Sequence, residues 1–242
     1  MFLKAPQPGK VKTRLAAVIG PRRAADLYRA FVVDTLSWVT RFPIATQRVD
    51  FSPVSESARC KELLPPGTSC ELHPQVDGDL GQRMEGAFRS MFDSQHKRCV
   101  IIGTDCPMLT PRIVRTAFKT LEQDDVVLGP TEDGGYYLIG LRKPAPTLLR
   151  NMKWSTDRVC STTCRRAHAA GLRTTLLPKL ADVDVVADLP QLYSELLSRW
   201  SDFGGTFPTE TFRYLEWQLH ARTAPKSRRS GGATEAAIAL GR

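Results

Sequence analysis

The stretch CVIIGTDCP, residues 99–107, decides the fold. Its apolar start and the glycine at position 103 are typical of a buried strand that ends in a tight turn. Asp105 follows two residues later. In open α/β sheets, ligands gather beyond the carboxyl ends of the strands. The stretch therefore predicts both a central strand and a place for chemistry at its end.

The sequence on both sides alternates short apolar runs with helical patterns. Residues 126–129 predict another buried strand, residues 2–5 a first strand of at most five residues, and residues 44–51 a polar one. Pro21 is expected to begin a long helix. Thr110 is expected to cap a different helix, which begins at Pro111. This alternation favours crossover units, so we expect an α/β fold with a mostly parallel central sheet and helices on both faces.

Composition excludes several classes of protein. The 242 residues are 42% hydrophobic and 24% charged, which is typical of soluble globular chains. No apolar run approaches the ~18 residues of a membrane helix, and the first residues do not resemble a signal peptide, so we expect a cytoplasmic protein without a membrane span. The six cysteines are expected to be reduced thiols, because neither a secretory signal nor zinc-site spacing accompanies them.

The net charge of +9 is concentrated near the two ends, in residues 1–29 and 213–242. Basic surfaces attract nucleic acid, acidic membranes or nucleotide phosphates. No recognition helix or aromatic RNA-binding pattern accompanies the charge, so we expect no specific nucleic-acid partner. We predict a main domain over 1–200, a helical extension over 201–222 and a basic flexible tail over 223–242. The sequence leaves the oligomeric state open.

The loop PQPGKVKTRL, residues 6–15, joins the first strand to a helix. Backbone N–H groups at such a junction favour an anion, and Lys12 and Arg14 add full charges. The Gly-Lys-Ser/Thr core of a P-loop is absent. The loop is either a phosphate site or an ordinary basic surface turn.

Aspartates supply the candidate metal ligands. Asp105 is well placed to hold a hard divalent ion, although an aspartate there also caps turns. Asp182 and Asp184 precede the last core helix and point the same way in an extended segment. One of them is a candidate second ligand and the other a helix cap, and the pattern does not choose between them.

Two further motifs have a functional and a structural interpretation. EDGGYY, residues 132–137, is a hairpin turn, or a place where Asp133 or Glu132 faces an acceptor. DGDLGQRM, residues 77–84, is a well-capped turn, or a loop in which Gln82 and Arg83 contact a base or sugar. The motifs of serine hydrolases, zinc proteases and dinucleotide-binding proteins are absent. The set fits metal-assisted transfer at a diphosphate.

Five blocks together resemble one bacterial family, in order and in spacing: KAPQPGKVKTRL, GDLGQRM, IIGTDCPMLT, VVLGPTEDGGYYLIGL and LADVDVVADL. Over residues 2–195 the chain is similar to nucleotide-diphospho-sugar transferases of the arsenosugar-biosynthesis type. The resemblance implies a single Rossmann-like glycosyltransferase-A domain. It also implies that Asp105 and Asp184 hold Mg²⁺ or Mn²⁺ and that the early loop holds nucleotide phosphates. The candidate nucleotide-binding residues are Lys4, Pro8, Gly9, Lys12, Arg14, Gln82 and Thr104.

The leading functional hypothesis is a metal-dependent glycosyltransferase. It moves a sugar from a nucleotide diphosphate-sugar to a small acceptor, with Asp105 and Asp133 as the catalytic candidates and Asp133 as the base. The alternative is a nucleotidyltransferase that joins a nucleoside triphosphate to a phosphorylated small molecule and releases pyrophosphate. A second alternative is a non-catalytic nucleotide or polyanion binder.

Overall fold

The structure is a computed structural model that describes residues 1–223, with side chains up to residue 218. The predicted basic tail, 223–242, lies outside the described residues apart from its first residue. Within the described part, hydrogen-bond ladders group seven strands into a three-stranded and a four-stranded sheet.

The three-stranded sheet is entirely parallel and has the order β1-β2-β3. Its strands are β1 (Phe2–Lys4), β2 (Arg48–Ser52) and β3 (Glu71–Pro74). The helices that connect them are α1 (Thr13–Ile19), α2 (Pro21–Val39) and α3 (Ser57–Glu62). The expectation of a strand over 44–51 is wrong at its start. The Gln47 amide donates to the backbone oxygens of Phe42 and Ala45, which closes a turn there and delays the ladder to Arg48.

The four-stranded sheet has the order β4-β6-β5-β7. Its strands are β4 (Cys99–Ile102), β5 (Val126–Pro130), β6 (Tyr136–Leu141) and β7 (Thr174–Leu176), and its helices are α4 (Leu80–Asp93), α5 (Pro111–Thr120) and α6 (Val159–Ala169). Strand β6 runs antiparallel to both neighbours, whereas β5 and β7 are parallel. Three of the five pairings are parallel, so the predicted mostly parallel α/β fold is confirmed. Thr110 occupies the N-cap position of α5 as expected, with Pro111 at the first helical position, but its side chain makes no cap hydrogen bond.

Helices cover both faces of the four-stranded sheet. Val127 and Leu138 face the core formed with α2 and α5, where Phe31 and Leu121 are completely buried. The residues that alternate with them, such as Leu128, face a second core with α4 and α6. This alternation follows from the two-residue period of a strand.

The C-terminal part adds helices α7 (Asp188–Ser198), α8 (Trp200–Phe203) and α9 (Thr209–Thr223). Helix α9 packs along α2, where the Tyr214 hydroxyl donates to the backbone oxygen of Arg23. All six cysteines lie in the described part and form no disulfide, which agrees with the expectation of reduced thiols. Within residues 1–223, no helix is both long and apolar enough to cross a membrane.

Candidate functional site

The candidate site lies where three chain segments meet beyond the strand ends. Asp105 follows β4 directly, and Lys12 closes the loop between β1 and α1. The backbone N–H of Val183 donates to the backbone oxygen of Asp105 at 3.1 Å. This bond brings the segment before α7 to the same place. Asp184 is thereby held beside Asp105.

Lys12 joins the two aspartates. Its ammonium contacts Asp105 Oδ1 and lies 3.1 Å from Asp184 Oδ1. Only 4% of the Lys12 side chain is exposed, against 55% for Asp105 and 42% for Asp184. Burial disfavours the charged lysine, but the charges of the two aspartates outweigh it and raise the pKa of Lys12. Of the two late aspartates, Asp184 is the one that shares the Lys12 ammonium with Asp105.

The loop before Lys12 turns sharply. Gly9 has a φ of 76°, and the N–H of Lys10 donates to the Gln7 oxygen at 3.0 Å. Pro8 and Gly9 are exposed on this turn. Arg14 is the second residue of α1, with a guanidinium nitrogen 3.7 Å from Asp184 Oδ2. The end of the loop and the start of α1 therefore each bring one cation to the carboxylate pair.

A cleft of about 280 Å³ opens at the ends of β1, β2 and β4. Polar residues that line it include Lys4, Ser52, Gln75, Arg83, Thr104 and Asp105. Thr104 is buried, and its Oγ1 lies 2.8 Å from the Tyr28 hydroxyl, which also accepts from the Lys4 N–H at 3.3 Å. These bonds fix the wall of the cleft next to Asp105.

Gln82 does not line this cleft. Its side-chain Oε1 accepts from the backbone N–H of Asp79 at 2.9 Å, and its backbone N–H donates to Asp79 Oδ1 at 2.8 Å. This reciprocal capping box starts α4 and corresponds to the structural interpretation of the motif. Arg83, the next residue, lines the cleft instead.

A second cavity, of about 240 Å³, lies on the other side of Asp184 and is strongly acidic. Six carboxylates line it, against the single cation of Arg14: Glu132, Asp133, Asp182, Asp184, Asp188 and Glu195. We call it the acidic cavity. Burial, with the charges of Asp133 and Asp184, raises the pKa of Asp182 to about 6.

Two aspartates of the acidic cavity are held by their own turns. Asp133 Oδ1 accepts from the Thr131 hydroxyl at 2.5 Å and from the Gly135 N–H at 3.0 Å. Asp188 Oδ2 accepts from the N–H groups of Asp184 and Val185, each at 2.7 Å. Asp188 therefore shapes the turn that presents Asp184.

The donor set suits a hard divalent ion that also binds substrate. Within residues 1–223, no three His, Cys, Asp or Glu side chains are grouped to hold a metal. Asp105 and Asp184 offer two partly exposed carboxylates, and Mg²⁺ typically takes one or two of these together with phosphate and water oxygens. The pair fits Mg²⁺ or Mn²⁺ bound with phosphates and does not fit a structural zinc site.

Several residues of the site escaped sequence analysis. Tyr28 belongs to the apolar stripe of α2, so its hydroxyl gave no separate signal. Gln75 lies just after a short polar strand. Asp188, four residues after Asp184, could have been found as a turn-forming residue, since aspartate side chains accept hydrogen bonds from nearby backbone N–H groups.

The fold, with a basic loop and two carboxylates beyond its strand ends, is of the class found in nucleotide-diphospho-sugar transferases. The chain belongs to the bacterial family described as "Uncharacterized protein conserved in bacteria (DUF2064)", whose profile matches residues 35–156.

A solved structure supports the fold over almost the whole chain. The crystal structure of a Desulfovibrio desulfuricans G20 protein, provisionally described as a nucleotide-diphospho-sugar transferase, matches with a TM-score of 0.81. It is 34% identical and covers 90% of this chain and 94% of that chain. The predicted resemblance to nucleotide-diphospho-sugar transferases is thus confirmed at the level of the fold, and the arsenosugar type stays a prediction.

A curated relative is more distant. The 2-phospho-L-lactate guanylyltransferase of Natrialba magadii is 27% identical over 138 residues, which is 55% of this chain. The match spans 58% of that relative's length. The similarity thus covers little more than half of each of the two chains.

Proposed function

We propose that the protein is a metal-dependent glycosyltransferase that uses a nucleotide diphosphate-sugar and a small, non-anionic acceptor. The observation that carries this proposal is the acidic cavity beside the Asp105–Asp184 pair, with its six carboxylates and one arginine. The resemblance of the motifs to arsenosugar-biosynthesis-type glycosyltransferases supports the same reaction class.

The charge of the acidic cavity discriminates between acceptors. A phosphorylated acceptor carries up to two negative charges and would meet six carboxylates there. Like-charge contacts of this kind suppress the wrong partner. A neutral or cationic molecule with hydroxyl groups meets no such penalty, which favours transfer of a sugar to a hydroxyl.

The donor fits the opposite side of the carboxylate pair. The cleft lined by Lys4, Arg83 and Thr104 binds the nucleoside. Asp105 lines the same cleft. Asp105 and Asp184 hold the ion, while Lys12 and Arg14 supply positive charge toward the phosphates. Bound there, the divalent ion supplies positive charge that stabilises the leaving nucleoside diphosphate.

Asp133 is the proposed base for the acceptor hydroxyl. Its Oδ1 is fixed by Thr131 and Gly135, so the carboxylate keeps one orientation toward the acidic cavity. Asp182 lies beside it as a second carboxylate able to share the proton. A base that receives the proton of the attacking hydroxyl contributes about 10²- to 10⁴-fold to the rate.

Nucleotidyl transfer is the second candidate. The guanylyltransferase relative favours it, and so do the two cations, Lys12 and Arg14, which suit the higher charge of a triphosphate. This reaction consumes a nucleoside triphosphate and a phosphorylated acceptor, and it releases pyrophosphate.

The experiment is a donor screen followed by product analysis. Nucleotide sugars and nucleoside triphosphates are tested by thermal shift with and without Mg²⁺ or Mn²⁺, because a ligand at about a hundred times its Kd adds roughly 2.7 kcal/mol of stability. Hits are incubated with neutral, cationic, arsenic-containing and phosphorylated acceptors, and nucleoside diphosphate and pyrophosphate are quantified. Asp105→Asn and Asp133→Asn are the test variants, and Asp93→Asn, at the exposed end of α4, is the matched control.

Three outcomes separate the candidates. Acceptor-dependent release of nucleoside diphosphate, lost in D105N and D133N but retained in D93N, supports glycosyl transfer. Release of pyrophosphate that depends on a phosphorylated acceptor contradicts glycosyl transfer and supports nucleotidyl transfer. Salt-dependent polyanion binding that D105N leaves unchanged, without turnover, identifies a non-catalytic binder.

A further inference from the structure

Lys12 holds a place in the site that differs from that of a surface lysine. One ammonium bridges one oxygen of Asp105 and one oxygen of Asp184, and it is almost completely covered. The Phe31 ring centroid lies 6.0 Å away on the inner side. The lysine is therefore a counter-ion built into the carboxylate pair.

A divalent ion that bridges the same pair needs the same oxygens. Mg²⁺ binds oxygen at about 2.0–2.1 Å, so an ion shared by both carboxylates lies within the space that the ammonium fills. Two cations at that separation also repel each other strongly in a partly desolvated site. Lys12 and a bridging ion therefore exclude one another.

We propose that Lys12 occupies the cation position between Asp105 and Asp184 in the free protein, and that a divalent ion enters only as Lys12 transfers to the nucleotide phosphates. This inference rests on the proposed metal-dependent function and adds an order of binding to it. Metal alone binds weakly, and metal and nucleotide bind cooperatively. The four-carbon stem of lysine gives the ammonium the reach for such an exchange.

The backbone of Lys12 adopts a conformation that is rare for residues other than glycine. Its φ of 45° and ψ of 49° lie in the left-handed region, which is unfavourable for a residue with a side chain, and it is the residue immediately before α1. The conformation directs the side chain under the two carboxylates instead of along the exposed loop, where Lys10 lies.

The test measures Mn²⁺ binding in the absence of any nucleotide, by electron paramagnetic resonance and calorimetry. Lys12→Met keeps the length of the side chain and removes its charge. We expect Lys12→Met to bind Mn²⁺ at least about tenfold more tightly than the natural chain, because the competing cation is gone. Lys10→Met removes the same charge from the exposed part of the loop, and we expect its Kd to change by less than about twofold.

Further variants separate failure of this inference from failure of the metal site. In the Lys12→Met background, adding Asp105→Asn or Asp184→Asn must abolish the tight Mn²⁺ binding. Mn²⁺ must also raise the Tm of Lys12→Met more than that of the natural chain, which shows that the variant is folded when it binds. Equal or weaker Mn²⁺ binding in Lys12→Met, with binding still lost in D105N, overturns the exchange and leaves the metal site standing. No Mn²⁺ binding in Lys12→Met also overturns the exchange, and a nucleotide-dependent thermal shift that is the same with and without Mn²⁺ overturns the metal site as well.

Discussion

Asp34, on α2, accepts a hydrogen bond of 2.8 Å from the backbone N–H of Thr211, in the first turn of α9. Its other oxygen accepts from the Glu210 N–H at 3.0 Å. The first N–H groups of a helix have no partner within the helix. A carboxylate of α2 therefore caps α9 and fixes it against α2.

Removing this cap is expected to loosen α9. Asp34→Ala leaves buried N–H groups unpaired and should lower the free energy of unfolding by about 2 kcal/mol, and Asp34→Asn by about 1 kcal/mol because one acceptor oxygen remains. Urea denaturation measures both. Asp26→Asn, on the exposed face of the same helix, is the control. A D34A protein as stable as D26N would contradict the capping role.

Glu85 should make stability depend on pH. Its carboxylate accepts hydrogen bonds from Arg150 and from Arg89, and these bonds lower the pKa of Glu85. The stabilisation is fully present above the unfolded pKa of about 4.3 and is lost as the pH falls through the lower folded pKa. Since Arg150 is 56% exposed, Glu85→Gln should cost only about 0.5–1 kcal/mol at pH 7 and almost nothing near pH 3.

Denaturation curves at several pH values test the Glu85 prediction, with exposed Glu62→Gln as the control. A cost that stays constant between pH 7 and pH 3 would show that Glu85 acts through packing and not through its charge.

Gly134 is expected to tolerate no side chain. Its φ is +88°, and a Cβ there would lie 2.1 Å from the backbone oxygen of Asp157. Gly134→Ala should cost about 3 kcal/mol, from backbone strain and from the clash. Gly171→Ala, at a φ of +66° with open space around it, should cost only about 1 kcal/mol. Equal losses in the two variants would exclude the clash as the cause.

The Tyr28 hydroxyl should matter for both stability and ligand binding. Tyr28→Phe removes the buried bond to Thr104 at 2.8 Å and leaves Thr104 to find another partner. We expect a loss of about 1 kcal/mol in urea denaturation and weaker nucleotide binding, because Thr104 lines the cleft. Tyr193→Phe, which keeps the ring stacked on Phe212, is the control. Unchanged nucleotide affinity in Y28F would remove Thr104 from the nucleotide site.

Local pattern was sufficient for most of the fold. The apolar run before Gly103 and the helix that begins at Pro21 both lie where the sequence places them. The start of β2 could not be read from composition, because a single amide, that of Gln47, closes the preceding turn. Backbone hydrogen bonding by one side chain does not change hydrophobic periodicity.

The site was only partly predictable. The sequence indicated Asp105 as a metal ligand and Lys12 as a phosphate ligand. It could not indicate that Lys12 contacts Asp184, because 172 positions separate these two residues and only the fold brings them together. Asp182 and Asp184 are equivalent by alternation, and only the position of Lys12 distinguishes them. The acidic cavity was not foreseen, since its carboxylates come from the β5–β6 turn, the segment before α7 and α7 itself.

The bond between Val183 and Asp105 also has a consequence for how the protein is made. Synthesis runs from the N-terminus, so Lys12 and Asp105 are made before Asp184. A nascent chain that stops before residue 180 has half of the cation site and one wall of the acidic cavity. Asp105 and Asp184 therefore come together only after the segment before α7 has been synthesised.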